Sequence, residues 1–338
     1  MNKRKLIFYL VTIAAIVLVY LKFSELRLIQ EFFHGSNGGY LALVVGIQFF
    51  IFLFQAINYH VILTMKGLVV PIRELFPVSF VIQFISQAIP TAGISGQVFL
   101  IQYLKKYGFT LAEGIGRAIL ELATLYVAYL LYFAISVSLL FHRNVFTQEP
   151  RFMFFIYAFL MFALVCAIIV VLSQKKDHSS FRWILDRIGA IFKKGGIAEL
   201  EMIKEQFHET LGWYNLKLQK WAFLQACFWQ AVLLLCHVMT LYVIAISLGH
   251  PIPLVACFVA FTFSKFLSMV SIIPGAPGVF EGAMTLILIS FGVDKSVALA
   301  ATLLTRAFTF WLPMPIGWLL YGRYLRKFEQ QEDKLVVS

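Results

Sequence analysis

This chain is poor in charge. Only 13% of its 338 residues are Asp, Glu, Lys or Arg, about half the share in a soluble globular domain. That scarcity leaves no room for a large soluble domain, and the longest polar stretch is Ser173 to Lys220. Cysteine is sparser still. Cys166, Cys227, Cys236 and Cys257 all fall in apolar runs and form no CxxC pair, so neither a disulfide framework nor a metal site is expected. No H-E-x-x-H helix and no G-x-S-x-G elbow is present. The seven histidines (His34, His60, His142, His178, His208, His237 and His250) are scattered, and His237 stands inside an apolar run. The chain is not read as an enzyme, and no cofactor is assigned.

What fills the sequence instead is hydrocarbon. Hydrophobic residues make up 61% and aromatics 16%, and the mean hydropathy is +0.84. Runs of about 20 apolar residues cross a bilayer as helices. They fall at Leu6–Leu21, Tyr40–Met65, Leu111–Phe141, Phe152–Leu172, Trp221–Leu248 and Ser296–Tyr321, with longer split segments at Leu75–Leu104 and Ile252–Phe291. The first follows Lys3-Arg4-Lys5 but lacks a small-x-small cleavage site, so it reads as an uncleaved span. Net charge of +11 would suit nucleic acid, but its placement argues otherwise. With the N-terminus inside, only Lys22, Arg27, Arg143, Arg151 and Lys295 lie on the outer side. The positive-inside rule then puts both termini in the cytoplasm and the protein in the cell (inner or plasma) membrane as a multi-pass chain. Basic charge serves topology and lipid-surface attraction; nucleic acid is not a partner.

The two halves repeat. At a constant offset Pro90 meets Pro274, Gln97 meets Glu281, Gly108 meets Gly292, and Glu121 meets Thr305, the neighbour of Arg306. Each half runs long span, proline turn, split segment, glycine, long span. Repeat one covers about 40–141, a linking span and basic cytoplasmic loop 142–220, and repeat two about 221–322. The single extra crossing between them inverts the second repeat. The expected fold is a single all-α polytopic helix bundle, residues 1–338, with two inverted repeats, each carrying a broken or re-entrant helical hairpin. In the first hairpin the arms Val78–Pro90 and Gln97–Leu104 flank Thr91-Ala-Gly-Ile-Ser-Gly96 and rise only about 20 and 12 Å. The second breaks at Pro274-Gly-Ala-Pro-Gly278 with longer arms, so it remains open to full crossing. Pro90, Gly93, Gly96, Pro274, Gly275 and Gly278 are the candidate tip residues. Backbone freed there must be buried in protein or line a wet cavity. In the linking loop, Phe181, Ile184, Leu185, Ile188, Ile191 and Phe192 recur at helical spacing among Arg182, Arg187, Lys193 and Lys194. That pattern suits a basic amphipathic helix, either on the inner leaflet or packed against the bundle.

The few charges at membrane depth are the candidate site. Arg117, Glu121, Lys265, Glu281 and Arg306, with Gln97, are taken as substrate-binding. Each charge costs ~2.5–3.5 kcal/mol on insertion scales. Together they imply a penalty on the order of 10 kcal/mol before pairing. Glu113, Arg117 and Glu121 stand four apart on one helix face, which allows either a self-neutralising Arg117–Glu121 pair or one shared with a ligand. Glu281 suits capping in the first turn after Gly278 and is also a candidate partner for Arg306 or Lys265. Buried cations beside the free N–H groups of broken helices make an anion site.

The stretch Ser271-Ile-Ile-Pro-Gly-Ala-Pro-Gly-Val-Phe-Glu-Gly-Ala283 resembles the P-G-x-x-G-x-x-E signature of the flippase-like membrane region of lysyl-phosphatidylglycerol synthases. Ile89–Gly96, Gly108 and the Arg117 helix resemble it more loosely, and Ala276-Pro277 stand where relatives often carry glycine. The resemblance implies a protein that moves lipid between leaflets. Only 17 residues follow Tyr321 here, so aminoacylation is not expected to carry over. An anionic membrane lipid or a lipid-linked phosphate is the expected partner. A small soluble anion moved with Glu121 or Glu281 as proton relay, and a non-catalytic subunit partnering an envelope-synthesis enzyme, remain alternatives.

Overall fold

The structure is a computed structural model that describes Phe32 and residues 36–64, 69–89, 94–142, 216–270 and 278–337. The expected spans Leu6–Leu21 and Phe152–Leu172, the basic amphipathic segment Phe181–Phe192, and the tip residues Pro90, Gly93, Pro274 and Gly275 lie outside these residues. Among the described residues every regular element is helical. In chain order they are α1 (Gly38–Thr64), α2 (Ile72–Ala88), α3 (Ile94–Leu104), α4 (Leu111–His142), α5 (Leu216–Ser247), α6 (Leu254–Val270), α7 (Val279–Ser290), α8 (Lys295–Arg306) and α9 (Pro313–Val337).

Among the described residues, four stretches are long and apolar enough to cross a membrane: Gly38–Thr64, Glu113–Leu140, Trp221–Ser247 and Lys295–Arg326. The last is α8 and α9 joined through one π turn, Ala307–Trp311. Their outward faces stay apolar. Phe49, Leu131, Trp221 and Leu319 are all more than half exposed, a surface that water would penalise and hydrocarbon does not. The protein is a polytopic membrane protein.

Helix ends follow local chemistry. Thr110 and Glu113 form a reciprocal box at the start of α4: the Thr110 N–H donates to Glu113 Oε2 at 2.8 Å and the Glu113 N–H to Thr110 Oγ1 at 3.2 Å. The second arms of both split segments end on a glycine with left-handed backbone, Gly108 at φ 82° and Gly292 at φ 85°. An L side chain there would be strained, which explains why the two glycines fall at matching positions.

The split segments differ from the sequence expectation in length. α2 and α3 have 17 and 11 residues, and α6 and α7 have 17 and 12. The first pair starts earlier than expected because Pro71, at φ −62° and ψ 140°, sits just before the helix and Pro77 is carried inside it. Proline within a helix forfeits one backbone bond, and here α2 continues regardless. The two segments are therefore nearly equal in arm length.

Packing places the elements around two main cores. One joins buried residues of α1, α5, α6, α7 and α8, including Val44, Leu241, Ala260, Met284 and Leu304. The other joins α2 and α3 to α9 through Phe84, Phe99, Tyr103, Met314 and Tyr321. α1 lies along α5, and Gln48 Nε2 donates to Thr240 Oγ1 at 2.9 Å between them. α2 packs on α1, α3 and α9, while α6 packs on α5, α7 and α4.

Candidate functional site

Two polar clusters are built the same way, each linking the second arm of a split segment to the long helix that follows. In the first half Gln97 of α3 donates its Nε2 to Glu121 Oε2 of α4 at 2.7 Å. In the second half Arg306 at the end of α8 donates its Nε to Glu281 Oε1 of α7 at 2.8 Å. Gln97 and Glu281 are the residues the sequence offset superimposes. Their partners are the pair it leaves one position apart. The chemistry differs: amide on acid in one half, base on acid in the other.

Glu281 performs both roles that the sequence allowed. Its Oε2 accepts from the Gly278 N–H at 2.7 Å, closing the first turn of α7, while Oε1 holds Arg306. The guanidinium also lies over two rings, 4.9 Å from the Phe280 centroid and 4.4 Å from that of Phe310. Only 10% of the Arg306 side chain and 8% of the Glu281 side chain are exposed, so water does not screen the pair. Electrostatic and cation–π attraction are strong in such a setting.

Lys265, half-buried on α6, makes no hydrogen bond or ion pair among the described residues. It lies close enough to Arg306 for the two like charges to act on each other, and His237 of α5 feels Lys265 in turn. The His237 ring stacks on Phe261 at 5.3 Å and 11°. With Arg306 balanced by Glu281, the charge left to attract an anion at this place is that of Lys265.

The first cluster holds a different balance. Glu121 is 4% exposed and accepts from three amides: Gln97, Gln230 of α5 at 3.3 Å, and Gln55 of α1 at 3.4 Å. The Tyr59 hydroxyl of α1 faces the amides of Gln55 and Gln97. Arg117, one turn earlier, does not pair with Glu121. Its Nη1 donates to the Ile62 carbonyl at 2.7 Å, tying α4 to the end of α1. The four-residue spacing allowed the pair, but that backbone carbonyl claims the guanidinium instead.

Gly96 also acquires a definite role. A Cβ there would meet Ser86 Oγ and come within 2.6 Å of the Ile82 carbonyl, so it lets α3 lie against α2. Close approach of the two arms accounts for it. Gln55, Tyr59 and Gln230 escaped a search for charge alone. The usable signal was amide side chains within apolar spans, since each buried amide needs partners that lipid cannot supply.

The arrangement defines a class: a polytopic membrane protein whose interrupted helices bring polar groups together between long spans. A family model for the lysylphosphatidylglycerol synthase TM region matches residues 7–317, and the chain belongs to that family. Over 292 residues it is 19% identical to a UPF0104 membrane protein of Methanothermobacter thermautotrophicus, covering 86% of each chain. A shorter match, 33% identical over 79 residues, joins it to a UPF0104 membrane protein of Pyrococcus horikoshii, covering 23% of this chain and 24% of that one.

Proposed function

We propose that this protein moves a phosphate-bearing lipid, a phospholipid or a polyprenyl phosphate, between membrane leaflets, with Lys265 and Arg306 as the headgroup site. The observation that carries the reading is the Lys265 ammonium, held near Arg306 without an anionic partner among the described residues. Insertion of a lone ammonium costs ~2.5–3.5 kcal/mol, and a ligand phosphate offsets that cost when it arrives. Arg306 presents a fork suited to phosphate oxygens, and Lys265 a compact charge beside it. The Phe280 and Phe310 rings over the Arg306 guanidinium give it an apolar flank, which suits a guest whose tails stay in hydrocarbon. Arg117, engaged by Ile62, is assigned to positioning α4, and Gln97 and Glu121 to a separate cluster.

The reading includes an inverted repeat, which exchangeable contacts support. Exchanging α1–α4 for α5–α9 maps the α1–α5 contact onto itself and the α2–α9 contact onto α6–α4. The linked polar pairs map likewise. Two re-entrant hairpins, cytoplasmic termini and residence in the cell membrane complete the proposal.

The test is a leaflet-scrambling assay in proteoliposomes, with fluorescent phosphatidylglycerol and a fluorescent polyprenyl phosphate run side by side. Accelerated flipping is expected, falling to the protein-free rate in Lys265→Met and largely retained in Lys265→Arg. Wild-type flipping by Lys265→Met overturns the site. No flipping by folded wild-type protein overturns lipid transport and favours a soluble-anion transporter or a subunit of an envelope-synthesis enzyme.

A further inference from the structure

Glu121 stands out for the company it keeps. A buried carboxylate normally has a cation nearby, yet among the described residues none pairs with it. The groups whose electrostatics register Glu121 are Tyr59 of α1 and Tyr126 and Tyr129 of α4 itself. α3 contributes Gln97 and α5 contributes Gln230, both neutral, and Arg117 on α4 is turned to Ile62. An ionised carboxylate here would therefore be balanced by amide dipoles alone.

The amides supply a second, independent observation. Gln97 is 6% exposed and Gln230 0%. Each gives its nitrogen to Glu121, and each leaves its Oε1 buried without a hydrogen-bond partner. Because amide nitrogen and oxygen share one carbon, both orphan oxygens lie within about 5 Å of the carboxylate. An orphaned acceptor costs roughly 1–3 kcal/mol, and two beside one carboxylate is an unusual concentration. Rotating either amide about its terminal bond turns that oxygen towards Glu121. Such an oxygen accepts from a protonated carboxyl or ligates a small hard cation, roles an amide nitrogen cannot fill.

We propose that Glu121, with Gln55, Gln97 and Gln230, forms a binding site for a small monovalent cation, a proton or a sodium ion. Its ligands come from α1, α3, α4 and α5, so occupancy draws the second arm of the first split segment onto three long spans. Binding neutralises the carboxylate, and the amides change from donors to acceptors as it does so. Release leaves the three amides donating to a bare anion. The site is built from other residues than the Lys265–Arg306 site. It would couple movement of either a lipid or a soluble anion, so it does not rest on the lipid reading.

The test needs no transport. Unfolding of the purified full-length protein is followed by intrinsic fluorescence at constant ionic strength, titrating sodium against choline and, separately, pH. A ligand bound only by the folded state raises the apparent Tm. Sodium-selective stabilisation by several degrees, absent in Glu121→Gln, assigns sodium. A rise on acidification without cation selectivity, again absent in Glu121→Gln and accompanied by loss of a protonated-carboxyl infrared band, assigns the proton. If Glu121→Gln does not fold, Gln230→Ala is read instead, and at least a tenfold weaker midpoint is expected. A wild type that responds to neither ion, or a folded variant that responds as the wild type does, overturns the proposal.

Discussion

The Glu281–Arg306 pair offers the sharpest energetic test. Arg306→Gln leaves the Glu281 carboxylate, 6% exposed, without its guanidinium at membrane depth. Breaking a buried pair by removing one partner typically costs ~3–5 kcal/mol. Loss of the cation from between Phe280 and Phe310 adds about 1–2 kcal/mol more. Glu281→Gln strands Arg306 in the same way and weakens the cap on the Gly278 N–H. Removing both charges together removes the uncompensated ion, so the double variant should lose far less than the sum, with coupling of ~2 kcal/mol or more. Fraction folded against denaturant in detergent, measured for all four proteins, closes the cycle. Additivity within about 0.5 kcal/mol would refute the argument that the two side chains act as one desolvated unit. The same four proteins separate architecture from transport. A double variant that is stable but inactive in the scrambling assay keeps Arg306 in the headgroup site. A stable and active one reduces the pair to scaffolding and leaves Lys265 alone.

Gly96→Val should force α3 away from the Ile82 carbonyl, which stands 2.6 Å from the position a Cβ would take. A loss of ~1–3 kcal/mol is expected, visible as a lower denaturant midpoint, and unchanged stability would contradict the close packing of the two arms. Outside the apolar spans, at the exposed start of α2, Glu74 Oε2 accepts from Tyr103, Lys106 and Tyr107. Chiefly the Lys106 and Tyr107 hydrogen bonds hold its pKa at about 2, down from 4.5. Because the folded value is depressed, its stabilisation is complete above pH 4.5 and is lost as pH falls towards 2. The Tm difference between wild type and Glu74→Gln should therefore be constant near neutrality and shrink below pH 4.5. A difference that grows on acidification would reverse that sign.

The long helices were legible because hydrophobic length alone decides them: the observed α1, α4 and α5 overlap the apolar runs almost end to end. Helix-stopping glycines and the two interruptions were legible as well, since Gly108 and Gly292 carry a backbone requirement that shows in the residue type. Partner choice was less accessible. Arg117 stands one turn from Glu121, and that spacing permits an ion pair, yet a carbonyl fifty-five residues away in sequence takes the guanidinium. Sequence periodicity reports which face a side chain occupies and is silent about what the neighbouring helix offers there. Glutamines 55 and 230 were missed for a related reason. An uncharged amide in an apolar run looks incidental until three of them converge on one acid. The first arm, expected from Val78, begins at Ile72, with Pro77 absorbed within α2.

The π turn at Ala307–Trp311 gives the last membrane crossing two independent rotational phases. Leu312 donates to the Ala307 carbonyl at 2.8 Å, five residues back, so the turn holds one residue more than an α-helical one. Each residue of a helix advances the azimuth by about 100°, and an extra residue absorbed in the turn spares the segment beyond it that advance. Upstream, azimuth is dictated by Arg306 meeting Glu281. Downstream, it is dictated by Gly317 lying against the Phe80 carbonyl and Phe84 of α2. An unbroken helix would have to satisfy both halves of the molecule with a single rotation. Deleting one residue between Ala307 and Leu312 would force that compromise, turning either the guanidinium from its carboxylate or the glycine from its neighbour.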